Sequence, residues 1–139
     1  MELTEIYNNI VMEHGLNSPN KHNLENQNCY FHGHNPNCGD DITLHLNIEN
    51  GIIKDLSFTG EGCSISQSST SVMIDLLRGK SIDKARQLID IFIKMIDRVE
   101  LTEEEMAVLG DAVAFQNISN MPARVKCALL AWKTLQQNI

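Results

Sequence analysis

The stretch Ile42-Thr43-Leu44-His45-Leu46-Asn47-Ile48-Glu49-Asn50-Gly51, continued by Ile52 to Phe58, decides the fold class. Ile42, Leu44, Leu46 and Ile48 alternate with Thr43, His45, Asn47 and Glu49. That period of two marks a strand with one buried face. Asn50-Gly51 is the strongest short hairpin signal, because both residues tolerate positive φ. Ile52 to Phe58 is predicted as the returning strand, and Cys29 to Gly33 as a third. His45 falls on the polar face and is expected to be inert.

Outside the hairpin the period changes to that of helices. Leu3, Ile6, Ile10 and Val11 have helical spacing, and the turn residues of Gly15 through Pro19 end that helix. Asn20 to Asn28 is polar and reads as a surface loop. After Ser64, Val72, Leu76 and Leu77 line one face up to Gly79. Ser81 is the expected N-cap of a helix carrying Ala85, Leu88, Ile89, Phe92, Ile93 and Ile96. Thr102 with Glu105 forms a capping box for a short acidic helix. Pro122 suits the first turn of a last helix bearing Val125, Leu129 and Trp132. Strands followed by helices predict an α+β domain with helices on one sheet face.

The 139 residues fit one domain, and 42% hydrophobic residues suffice for a core. A formal net charge of −7 argues against non-specific binding to nucleic acid or to an anionic membrane. No apolar run reaches the roughly 20 residues of a membrane span. Met1 to Met12 carries Glu2 and Glu5 and no basic residue, which is not a secretory signal. A cytoplasmic protein is expected, and in a reducing cytosol widely spaced cysteines bind metal or react more often than they pair.

The chemistry centres on three cysteines. Cys38 lies in the turn Asn35-Pro36-Asn37-Cys38-Gly39-Asp40. Cys63, in Gly60-Glu61-Gly62-Cys63-Ser64-Ile65-Ser66, follows a strand and opens a helix, where backbone N–H groups stabilise a thiolate. Cys127 lies within the last helix. Their spacing matches no short zinc-finger pattern. From composition alone, Cys63 and Cys127 read equally well as small buried hydrophobes.

These segments, with Cys127-Ala128-Leu129-Leu130-Ala131-Trp132, resemble the three cysteine motifs of the U-type iron–sulfur cluster assembly proteins. His14 through Lys21 is similar to that family's His-x-x-Asn-x-x-Asn-Lys stretch. The resemblance spans nearly the whole chain, 1–139, as a single domain. It implies a three-stranded antiparallel sheet packed on helices, the IscU/SufE-like architecture, and a metal site built from Cys38, Asp40, Cys63 and Cys127. The scaffold branch of the family has histidine before its third cysteine and a Leu-Pro-Pro-Val-Lys chaperone motif. Here Lys126 stands at the histidine position, in Asn120-Met121-Pro122-Ala123-Arg124-Val125-Lys126. The Gram-positive SUF-type branch is more similar, through Arg124 and an insertion resembling Glu100 to Asn120. That branch implies zinc and sulfur acceptance from a cysteine desulfurase, serving downstream iron–sulfur assembly proteins. The alternative is a scaffold holding an iron–sulfur cluster on the same ligands.

Three thiolates and a carboxylate make a tetrahedral donor set suited to Zn²⁺. Against the metal's charge they sum to −2, which Arg124, one helical turn before Cys127, is placed to offset. Cys38, on a mobile Pro/Gly turn, is the expected sulfur acceptor. Cys29 matches no motif and is read as a strand or core residue. His32 and His34 share one side of a strand and are expected to face solvent rather than supply imidazole ligands. Ser64, Ser66, Ser68, Ser69 and Ser71 have no histidine base nearby in sequence, so capping and packing explain them. Glu103, Glu104 and Glu105 read as a solvated first helical turn.

Overall fold

A computed structural model of the chain describes residues 3–15, 18–37 and 39–139; Cys38 therefore lies outside the described residues. Helix α1 (Leu3–His14) precedes three strands, β1 (Cys29–Asn35), β2 (Asp40–Glu49) and β3 (Ile52–Glu61). Helices α2 (Ser64–Leu77), α3 (Ile82–Ile96) and α4 (Glu103–Val108) follow. A 3-10 segment (Gly110–Asn120) then leads into α5 (Pro122–Gln136). The strands form an antiparallel sheet in the order β1-β2-β3, with β1 at an edge.

The hairpin forms as its sequence predicts. Asn50 and Gly51 have φ of 53° and 74°, so the tight turn needs two residues that accept the left-handed region. Ile42, Leu44 and Leu46 face inward and are buried. The alternation breaks next to the turn. A register shift between Asn47 and Ile48 turns Asn47 inward, where its amide donates to the Asn26 carbonyl, and leaves Ile48 half-buried.

The helices cover the inner face. Phe92 of α3 stacks on Trp132 of α5 at a centroid distance of 3.8 Å, and Phe115 of the 3-10 segment meets Phe92 edge-on at 6.3 Å. Trp132 Nε1 donates to Ser69 Oγ, which donates in turn to the Ala128 carbonyl. Ser69 thus ties α2 to α5, while Ser71 bonds to His14 of α1 and to Ser18 and Asn20. The predicted caps are in place: Ser81 accepts from the Lys84 amide, and both bonds of the Thr102–Glu105 capping box are made. Glu103 and Glu104 are exposed. No helix among the described residues is long and apolar enough to cross a membrane.

Two expectations need correction. The segment from Asn20 to Asn28 is not simply a surface loop. Asn20 is 3% exposed and its amide donates to Ser71 and Asp75, while its Oδ1 accepts from Arg78. Leu24 is buried, and Lys21 bridges to Phe58 of β3. The polar composition serves a buried hydrogen-bond network rather than solvation alone. His45 is likewise not idle. It is half-buried between Gln27 and Thr59, and burial first, then His22, holds its pKa below the ordinary 6.5.

Candidate metal centre

Three elements meet at one end of the sheet. Asp40 opens β2 and is fully buried. Cys63 is the N-cap of α2, with its Sγ accepting from the Ser66 amide at 3.4 Å. Cys127 is buried on the inward face of α5. One donor atom from each, Asp40, Cys63 and Cys127, lies within 4.8 Å of the others. The Cys63 N–H donates to Asp40 Oδ1 at 3.0 Å. The other oxygen, Oδ2, is buried with no hydrogen-bond partner among the described residues. A buried, unpartnered carboxylate oxygen beside two sulfur atoms suits a cation, because desolvating that oxygen alone is costly. Cys38, the remaining residue of the implied ligand set, precedes Gly39 and Asp40 in sequence but lies outside the described residues.

The turn before Cys63 is as tight as its glycines suggest. A Cβ at Gly62 would stand 2.8 Å from Asp40 Oδ1 and 2.9 Å from Ser66 Oγ, so only glycine lets the carboxylate approach. The Gly62 carbonyl accepts from Gln67 Nε2, and Gln67 Oε1 accepts from Lys21 Nζ. The segment that includes Lys21 thus braces the Cys63 turn from outside. That link was not legible in the sequence, because the two residues stand on separate elements.

Arg124 is exposed on the first turn of α5. Its charge reaches Tyr7 of α1: burial raises the Tyr7 pKa, Arg124 opposes the rise and Cys63 adds to it. Tyr7, Arg124 and Cys63 therefore share one electrostatic neighbourhood, and Tyr7 carried no sequence signal beyond its place beside Ile6. Cys29 stands apart. It pairs with Leu46, whereas Asn35 pairs with Asp40, so it lies at the far end of the strand pair, about 20 Å away at the rise of a strand. Burial raises its thiol pKa. His32 and His34 are exposed and stacked on each other, and His32 is tied to Asp41, so neither joins the cluster.

The sequence pattern that defines the NifU-like N terminal domain matches residues 6–128. The chain belongs to the NifU-like N-terminal domain family. Among its relatives, the zinc-dependent sulfurtransferase SufU of Bacillus subtilis is 39% identical over 137 residues, covering 99% of this chain and 91% of that protein. The iron–sulfur cluster assembly scaffold protein IscU of Thermotoga maritima is 36% identical, covering 95% and 91%. A crystal structure from Fervidobacterium islandicum, described as an iron–sulfur cluster assembly scaffold protein for the SUF system, superposes with a TM-score of 0.87 at 35% identity. That superposition covers 96% of each chain. The α+β fold expected from the resemblance is thus the fold of this NifU-like domain.

Proposed function

We propose that this chain is a cytoplasmic zinc-dependent sulfur acceptor. It takes persulfide sulfur from a cysteine desulfurase and passes it on for iron–sulfur cluster assembly, acting as one U-type domain. The observation that carries this reading is the convergence of Asp40, Cys63 and Cys127, with Asp40 Oδ2 buried and unpartnered. Cys38 completes the ligand set. The relationship to a protein named a zinc-dependent sulfurtransferase supports zinc as the metal. Bound zinc supplies a positive charge that keeps thiols deprotonated without redox activity of its own.

Cys38 is the acceptor. Its thiolate attacks the outer sulfur of the partner's persulfide; the new S–S bond forms as the old one breaks, and the partner cysteine leaves as a thiolate. The exchange balances without an external oxidant. Arg124 supplies positive charge to the same neighbourhood as Cys63 and offsets the excess negative charge of the donor set. Asp40, a hard oxygen ligand among sulfurs, is the exchangeable member.

A scaffold that assembles a cluster on the same donors is the second reading, favoured by the relationship to proteins named IscU. One experiment separates them. The purified protein is assayed for metal and absorbance, then incubated briefly with a cysteine desulfurase and cysteine, and its peptides are weighed. Colourless zinc protein with extra sulfur first on the Cys38 peptide is expected. Sulfur first on Cys63 or Cys127 refutes the acceptor assignment. Brown protein with sulfide favours the scaffold, and zinc without sulfur transfer leaves a structural zinc module.

A further inference from the structure

Beside the metal centre runs a cleft of about 500 Å³ between β1 and α5. Asn37, the residue before Cys38, and Lys126, the residue before Cys127, both line it. Although the chain carries a formal charge of −7, no aspartate or glutamate among the described residues lines the cleft. Lys126 and Lys133 do, both exposed on α5. Two helical turns separate them, so they project from one face about 10 Å apart. Residues four apart on an extended chain point to the same side and span about 13 Å, a difference the flexible lysine arms can take up.

Two further observations mark the cleft as built for an extended guest. Asn35 lines it at 6% exposure, and its Nδ2 has no hydrogen-bond partner among the described residues. The wall it belongs to, β1, is the edge strand of the sheet, the place where a guest strand can add its own backbone. The floor is closed: a Cβ at Gly33 would stand 2.2 Å from Thr134 Oγ1, so β1 and α5 touch there.

We propose that this cleft holds an extended acidic segment of a partner protein, with carboxylates four residues apart on Lys126 and Lys133. The charge of the lining selects the guest: acidic chains are repelled by the rest of this molecule and attracted here, which fixes where such a segment docks and in which register. The interaction requires neither zinc nor sulfur transfer, so it stands apart from the function proposed above.

The test titrates the full chain with a fluorescein-labelled peptide of seven residues, threonine and valine with glutamate at the second and sixth positions, read by anisotropy. Saturable binding that weakens with salt is expected, and the same peptide with lysine for glutamate should not bind. Lys133→Glu should weaken binding about threefold or more, and the Lys126→Glu/Lys133→Glu pair about tenfold or more. Lys94→Glu, exposed on α3 outside the cleft, should bind as the unaltered chain does. Metal content and melting temperature verify that each variant is folded; Lys133→Glu alone carries the test if the pair does not fold. No binding of the glutamate peptide overturns the proposal. So does equal binding of the lysine peptide, indifference to Lys133→Glu, or equal weakening by Lys94→Glu.

Discussion

Asp40 and Cys63 share a hydrogen bond that engages only half of the carboxylate: the Cys63 N–H donates to Oδ1 at 3.0 Å, and Oδ2 is left buried and, among the described residues, unpartnered. The bond joins the start of β2 to the start of α2. Asp40 is therefore held by one oxygen and available through the other.

Removing donors one at a time tests that arrangement. Cys63→Ser and Cys127→Ser should each strip or weaken zinc and lower the melting temperature, since metal binding and folding are coupled. Asp40→Asn can keep an oxygen for the Cys63 N–H but loses the second anionic one. It should fold and give up zinc to a chelator about tenfold or more faster. Cys29→Ser, at the far end of the strand pair, should match the unaltered chain in both measurements. Full zinc occupancy in both serine variants would sink the site.

Gly62→Ala should disturb the centre without touching a donor atom. Its methyl would stand within 3 Å of Asp40 Oδ1 and Ser66 Oγ, so the turn must open. A loss of about 1–3 kcal/mol is expected, the usual cost of overpacking, with reduced zinc content by metal analysis. An alanine variant with unchanged stability and zinc would show that the turn has room to give.

Ser69 sits between Trp132 Nε1 and the Ala128 carbonyl, joining α2 to α5. Ser69→Ala leaves the buried indole N–H without its acceptor. Chemical denaturation should show a loss of about 1–3 kcal/mol, because an orphaned buried donor costs its full desolvation.

His45 sets a pH dependence. Its pKa in the folded chain lies below the ordinary 6.5, chiefly through burial, so the unfolded chain binds the proton more tightly. Above 6.5 the ring is neutral in both states and the full stability is present; as pH falls below 6.5 toward the folded value, stability is lost. In His45→Gln the melting temperature should fall less steeply below that point and be close to unchanged near about pH 7.5. Identical acid limbs in the two proteins would refute the assignment.

Much of this was legible in the sequence because the signals were local. The period of two at Ile42 to Ile48, the Asn50-Gly51 turn and the side-chain caps at Ser81 and Thr102 depend on neighbours a few residues away. The burial of Asn20 was not legible, since its partners Ser71, Asp75 and Arg78 lie on a helix more than fifty residues on. The 3-10 segment was missed for a related reason: Ala112, Phe115 and Ile118 recur every three residues, the period of that tighter helix, and packing against α1, α2, α3 and α5 holds them. At the candidate metal centre the local context marked Cys63, and resemblance supplied Asp40 and Cys127. The brace from Lys21 through Gln67 to Gly62 depends on tertiary contact and gave no signal.

The donors come from the start of β2, the cap of α2 and the middle of α5. On the ribosome this order imposes a wait. Asp40 and Cys63 emerge early, but Cys127 follows only after the stretch from Cys63 onward has been made, between about 3 and 13 seconds later at usual elongation rates of about 5–20 residues per second. Throughout that interval the early thiol belongs to a nascent chain that cannot close its site. On the proposed ligand set, metal loading would report that α5 has been synthesised and docked, and a chain truncated before Cys127 would lack one of the donors.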